Sequence, residues 1–171
     1  DTHEIARNAP WKQACRFIEE LSNIAPTYVL IGNHDLINQS QYLTDNHFFN
    51  PLKKWENVFI VDKPIAVDID SKSIVMCPYV PNGRFIEALD TLDIDWRSVD
   101  CIFAHQEIKG AVYNGRESDK GDCWNESYPT LISGHIHEPC QIGDNVLYVG
   151  SCRQISSDEN PDKRVWNISF D

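Results

Sequence analysis

Thr27-Tyr28-Val29-Leu30-Ile31-Gly32-Asn33-His34-Asp35 reads as a short buried strand that runs directly into a polar loop. Aromatic and β-branched residues carry the strand. Glycine followed by an amide, an imidazole and a carboxylate ends it. Polar side chains at a strand's end are where sites tend to lie, since a rigid scaffold positions them. The same construction recurs downstream. Asp100 to Ala104 is an apolar strand delivering His105, and Thr130 to Ser133 is a strand ending in Gly134-His135-Ile136-His137.

Outward from these strand ends, Asn8 to Ser22 places Trp11, Ala14, Cys15, Ile18 and Leu21 on one face, the spacing of an amphipathic helix. Past a polar loop through Asn50 come Val58 to Val61, Ile65 to Ile69 and Ser73 to Met76. Lys63-Pro64 and Ser71-Lys72-Ser73 separate them as turn signals, which predicts a meander. Asn82 to Leu89 reads as a helix, and Val146 to Val149 and Val165 to Phe170 as closing strands. The polar, aromatic-tipped segment from Lys109 to Tyr128, with Tyr113 and Trp124, has no clear period and is expected as a loop forming a lid or substrate wall. No repeat, low-complexity tract or linker divides the chain, so residues 1–171 are expected to form one domain.

Composition bounds the function. A content of 42% hydrophobic residues, with five Trp, suffices for a packed core. No run approaches the roughly 18 apolar residues that a membrane helix needs. The formal charge of −11 argues against a broad basic surface for nucleic acid. A nuclease stays open, because bound cations offset charge locally and a partner can supply the grip. The six cysteines are scattered without a C-x-x-C pair, which predicts buried, reduced thiols in an intracellular, cytoplasmic protein; their even number is also compatible with disulfides. The chain opens at Asp1 rather than Met, so the lack of a signal peptide proves nothing.

Taken together, Asn33, His34, Asp35, His105, His135 and His137 combine imidazole nitrogens with amide and carboxylate oxygens, a set suited to Mn, Fe or Zn. On extended chain, His135 and His137 would project from one face about 6.6 Å apart. That spacing serves two ions about 3.5 to 4 Å apart. Each piece also has an ordinary reading: His105 as a surface or a hydrogen-bonded residue, His135 and His137 as flanks of a turn, Asn33 and Asp35 as turn residues. A structural zinc site from His135, His137 and Cys140 would lack a spaced fourth ligand. His47, in the polar loop, reads as a surface residue.

Gly32-Asn33-His34-Asp35, the isolated His105 and Gly134-His135-Ile136-His137 resemble, in order, the later motifs of the calcineurin-like metallophosphoesterase superfamily, and nearly the whole chain falls within that likeness. The resemblance implies an α/β fold, a sandwich of two mixed β-sheets flanked by helices, here lacking its first strand. It implies two divalent metal ions, manganese first and iron or zinc as alternatives. Asp1, 32 positions before Asn33, stands where the family places the aspartate that bridges both metals; otherwise it is an ordinary terminal residue. Carried over, Asp1, Asn33, His105 and His135 would hold one metal, and His137 would join Asp1 on the other. His34 would be the catalytic histidine acting near the leaving oxygen, with Asp35 orienting its ring. Two departures stand out: the family's first Asp-x-His motif is missing, and Ala104 replaces the glycine that many members carry before the histidine.

Ala104-His105-Gln106-Glu107-Ile108-Lys109-Gly110-Ala111, Gly134 to Pro139, and Tyr148-Val149-Gly150-Ser151 with Gln154 resemble the SbcD-like DNA repair and recombination nucleases, a branch with bacterial and phage members. That likeness implies metal-assisted hydrolysis of phosphodiesters, DNA as substrate and a coiled-coil ATPase as partner; it leaves the source open, with a virus or phage among the options. Two other classes remain open. One is a phosphomonoesterase acting on proteins or nucleotides. The other is a noncatalytic scaffold, which the missing first motif favours.

Overall fold

The first helix, α1 (Asn8–Ser22), forms where the apolar spacing predicts it. The structure is a computed structural model describing residues 8–113, 116–154, 157 and 159–170. Ile18 is buried, and Trp11, Ala14 and Cys15 pack half-buried around Ile31, Phe49 and Val58. Trp11 meets Phe49 with ring centroids 5.1 Å apart. Leu21 differs from expectation and is exposed. It lies where the helix ends, its carbonyl accepting from the amides of Ile24 and Ala25 as the chain turns.

β1 (Thr27–Leu30) pairs in parallel with β2 (Val58–Val61), Thr27 opposite Val58 and Leu30 opposite Val61. In chain order there follow β3 (Ile65–Ile69), β4 (Lys72–Cys77), helix α2 (Phe85–Leu89), β5 (Cys101–Ala104), β6 (Val112–Tyr113), β7 (Arg116–Glu117), β8 (Thr130–Ser133), β9 (Cys140–Ile142) and β10 (Val146–Tyr148). Among the described residues, six of these make one mixed sheet in the order β3-β4-β5-β8-β10-β9. Its four central strands are parallel, and β3 and β9 close its edges antiparallel. The molecule is thus mixed α/β. The meander expectation fails at its first link, because β2 pairs with β1 and leaves only β3 and β4 as a hairpin. Pro64, which offers no amide hydrogen, sits where the chain crosses between the sheets.

Both faces of the larger sheet are covered, which explains the near-continuous apolar run of β4. Val75 and Cys77 point toward Phe85, Ala88 and Leu89 of α2 and toward Trp96. Ile74 and Met76 point the other way, toward Val61, Phe103 and Phe170. Helix α2 begins at Phe85 rather than Asn82. A turn from Pro81 to Arg84 precedes it, and the Asp122 carboxylate accepts from the Phe85 amide at 3.2 Å. Within the segment 109–128, β6 and β7 form a small hairpin. Trp124 packs half-buried on the core, against Trp96 and Tyr128 with ring centroids 5.8 and 5.1 Å away, and does not stand free at a loop tip. Val165 to Phe170 forms no strand. Its apolar residues lie across the sheet instead, with the Trp166 indole donating to the Val149 carbonyl at 2.8 Å.

Of the cysteines, Cys77 and Cys101 are buried, Cys15 and Cys140 half-buried, and Cys123 and Cys152 exposed, so the burial expectation holds for the first pair alone. Burial pushes the Cys101 thiol up to about 11. Among the described residues no helix is long and apolar enough to cross a membrane.

Candidate functional site

Register brings the histidine-bearing strand ends together. Cys77, Ala104 and Ser133 are aligned neighbours across β4, β5 and β8, so the loops leaving these three strands emerge at one edge. The end of β1 reaches the same edge, because the Ile31 carbonyl accepts from the Tyr79 amide at 2.8 Å. Asn33, Tyr79, His105 and His135 therefore share the carboxyl edge of a parallel sheet, the usual ligand position in such sheets.

The imidazole of His105 lies between two glycines. A Cβ on Gly32 would stand 3.0 Å from its Cε1 and Nε2, and a Cβ on Gly134 would stand 3.0 Å from its Nδ1. The glycines of both motifs thus make the space that this ring fills. Its Nε2 lies 3.1 Å from the Asn33 Oδ1. Two donor atoms on a common ion, each at about 2.1 Å, are separated by about 3.0 to 3.4 Å. The His135 ring stands edge-on to His105, with centroids 5.3 Å apart. Two imidazoles bound to one ion through bonds of about 2.1 Å hold their centroids about 5 to 6 Å apart. Asn33, His105 and His135 therefore fit one metal in donor chemistry and in spacing.

His135 does not lie on extended chain. Its φ is +73°, and the Ile136 amide donates to the Gly134 carbonyl at 2.9 Å, closing a γ-turn around it. The positive-φ form of this turn is rare, and a non-glycine residue held there costs about 1 to 3 kcal/mol. The extended 6.6 Å arrangement with His137 is accordingly replaced by a bend. Tyr79 stacks on His135 at 6.1 Å between centroids. The Glu107 Oε2 lies 4.0 Å from the His135 Nε2 and accepts from the Asn82 amide at 3.1 Å.

Asp35 is 1% exposed, and its Oδ2 accepts from the Gly32 amide at 2.8 Å, which closes the loop that carries Asn33 and His34. The His34 Nδ1 lies 3.5 Å from the Gln39 amide nitrogen. Burial holds the His34 pKa below its ordinary value, the Asp35 charge opposing and His137 assisting. Burial likewise pushes His105 well below 6.5, reinforced by His135, His34 and His137. His135 is lowered by burial against the pull of Glu107. These rings are therefore neutral at neutral pH, the form in which an imidazole can ligate a metal.

His137 is held from another direction. Its Nδ1 lies 2.8 Å from the Glu159 Oε1, and the Lys163 Nζ lies 2.9 Å from the Glu159 Oε2. Asp1 lies outside the described residues. Among the described residues no group of three His, Cys, Asp or Glu side chains could by itself hold a metal ion, so the zinc alternative with Cys140 is not formed. In the fitting set the third donor is an amide. His47 is buried, not on the surface: its Nε2 lies 3.1 Å from the Asp62 Oδ2, while its Nδ1 is buried without a hydrogen-bond partner among the described residues. Sequence reasoning missed Glu107, Tyr79, Glu159 and Lys163. Glu107 lies two positions after His105 and could have been suspected from that position, whereas Glu159 and Lys163 lie in a polar stretch with no periodic signal.

An apolar groove of about 560 Å³ lies on the sheet face of Ile74, Met76, Phe103 and Ile132 under Trp166 and Phe170, and reaches Ala104 and Gly134 beside the histidines. It lacks the titratable side chains gathered at the histidines.

Comparison with known proteins points the same way. The chain is 42% identical over 170 residues to "Putative phosphoesterase 244L" of Invertebrate iridescent virus 6, covering 99% of this chain and 60% of that protein. It is 42% identical over 156 residues to "Putative phosphoesterase 078R" of Invertebrate iridescent virus 3, covering 90% of this chain and 45% of that protein. A more distant similarity, 28% over 146 residues, is to "Exonuclease subunit 1" of Enterobacteria phage T4, covering 81% of this chain and 41% of the phage protein. The chain thus spans about half the length of the relatives it matches, and it is related to viral proteins named as phosphoesterases. No protein-family model matches it.

Proposed function

We propose that this chain is the single-domain core of a calcineurin-like, metal-dependent phosphoesterase that hydrolyses phosphodiester bonds, acting on DNA as an exonuclease or endonuclease in recombination or repair. The observation that carries the reading is the His105 ring held between Gly32 and Gly134, with its Nε2 3.1 Å from the Asn33 Oδ1 and His135 edge-on beside it. Asn33, His105 and His135, with Asp1, would hold one divalent ion, and His137 the other. Bound there, ions such as manganese supply Lewis acidity toward phosphoryl oxygens and water.

The chain's own residues do the rest. Asp35 fixes the loop through the Gly32 amide, which sets Asn33 and His34 side by side. His34, neutral at working pH, has an N–H that can hydrogen-bond the departing ester oxygen and stabilise the charge developing there. Tyr79 walls one side of His135. A nucleic-acid diester is favoured over a monoester by the name of the phage relative, and DNA by the likeness around His105. A chain of net charge −11 needs help to hold DNA, a part suited to a coiled-coil ATPase partner. The viral relatives support a virus-encoded protein; a cytoplasmic place of action is part of the proposal.

The test is to express the full reading frame and supply manganese, end-labelled single-stranded DNA and an aryl phosphate monoester. Shortening of the DNA with little monoester turnover is expected. Low salt belongs in the assay, because a weak electrostatic grip fades as ionic strength rises. Turnover of the monoester with intact DNA would replace the reading with a phosphomonoesterase.

A further inference from the structure

His137 is gripped by a segment in which Glu159 and Lys163 lie beyond every motif of the resemblance. The Glu159 Oε1 lies 2.8 Å from its Nδ1, and the Glu159 side chain is 9% exposed. The Glu159 Oε2 lies 2.9 Å from the Nζ of Lys163, itself 6% exposed. Lys163 Nζ also donates to the His137 carbonyl at 2.9 Å, and the Ser151 amide donates to the same carbonyl at 3.0 Å. Gln154 donates to the Glu159 backbone carbonyl at 2.8 Å, tying the carboxylate's own backbone into the wrap. Ring and main chain of His137 are thus both fixed from residues 151–163.

A carboxylate accepts and does not donate, so the nitrogen facing it must carry the hydrogen. A neutral imidazole has one such hydrogen. With it on Nδ1, the lone pair sits on Nε2, the other side of the ring. A buried carboxylate carries a desolvation cost, which the Lys163 ammonium 2.9 Å away offsets. From this geometry we infer that Glu159, supported by Lys163, is a positioning residue that locks His137 in the Nδ1–H tautomer and so commits Nε2 as its donor atom. The inference rests on the proposed reading only in what Nε2 is for. Carboxylate partners of this kind orient metal-ligating histidines, and their loss typically weakens metal affinity about 10- to 100-fold.

Long-range nitrogen–proton NMR of the histidine rings in the metal-free full-length protein reads the tautomer directly. The His137 pattern should be that of Nδ1–H in the parent. In Glu159→Ala it should move toward the mixture of a solvated imidazole, and in Glu159→Gln, whose amide oxygen can still accept, it should be partly restored. A parent His137 protonated on Nε2, or a Glu159→Ala pattern identical to the parent's, overturns the inference, and the parent measurement needs no variant to fold. Titration with manganese alone gives a separate reading. Binding should weaken about 10- to 100-fold in Glu159→Ala. A locked tautomer with manganese binding unchanged in both Glu159→Ala and His137→Ala would leave the inference standing and remove His137 from the metal site.

Discussion

The surroundings of His105 and of His137 show two ways of holding the same side chain. His105 is placed by architecture: its backbone continues a parallel strand in register, and two glycines from separate loops leave a slot of its own shape. His137 is placed by side chains, a carboxylate and an ammonium drawn from a later segment that forms no ladder with the strand before it. The first arrangement is as stable as the sheet. The second is as stable as one buried ion pair, which is strongly sensitive to the loss of a partner.

The sharpest test of the contrast lies between them, at His34, which should carry chemistry rather than construction. His34→Asn should lower turnover by about 10² to 10⁴ while metal content stays at the parent's level, with a smaller loss on an activated aryl ester than on a nucleotide ester. Metal analysis of the purified variant beside rates on both substrates decides it. Depleted metal with equal losses on both esters would make His34 part of the scaffold.

The His105 slot should fail sterically. In Gly134→Ala the new Cβ meets the ring at 3.0 Å, and Gly32 blocks retreat on the other side. Overpacking of this kind costs about 1 to 3 kcal/mol, or a drop of about 2 to 12 °C in midpoint for a chain of this size. A thermal melt unchanged within a degree would mean that the ring is free to move and that the slot is no constraint.

Acid should loosen the buried rings next. Unfolded histidine takes up its proton near 6.5, whereas His34, His105 and His135 resist it in the fold. Their contribution to stability is therefore present above about pH 6.5 and is lost as pH falls through the lowered folded values. Urea midpoints of the metal-free protein should fall as pH drops below 6.5, and His105→Asn should flatten that fall. A midpoint flat from pH 7.5 to 5 would contradict the burial of these rings. Smallest of all should be the effect of Arg16→Ala on α1, whose exposed pair with Glu20 at 2.8 Å belongs to neither region. Its melt should stay within about 2 °C of the parent's.

The legibility of the sequence divides along the same line. Residues whose placement depends on local period and strand ends were legible: α1, the strands carrying Ile102 and Ile132, and the convergence of Asn33, His105 and His135. Sheet membership was not, since the apolar pattern of β2 says which residues are buried and not which neighbour it pairs with. The γ-turn at His135 was missed because positive φ is uncommon in any non-glycine residue, even in histidine, which adopts it more often than most. Trp124 looked like a loop tip because its partners, Trp96 and Tyr128, are brought to it only by the fold. Glu159 and Lys163 were invisible for a related reason: a carboxylate and a lysine in a polar stretch look like solvated surface until the fold brings them against His137. Asp1 and the assignment that it carries lie outside the described residues.

The bond from the Tyr79 amide to the Ile31 carbonyl joins the two sheets at the edge where the histidines gather. It belongs to no strand ladder, so its persistence records whether the sheets move as one body. In hydrogen–deuterium exchange the Tyr79 amide should therefore behave as a hinge gauge. If it exchanges as slowly as the amides of β4, Asn33 and His105 ride on a single rigid frame. Exchange well ahead of them would mean that the sheets breathe apart, and the 3.1 Å separation of Asn33 from His105 would then be the average of a moving joint.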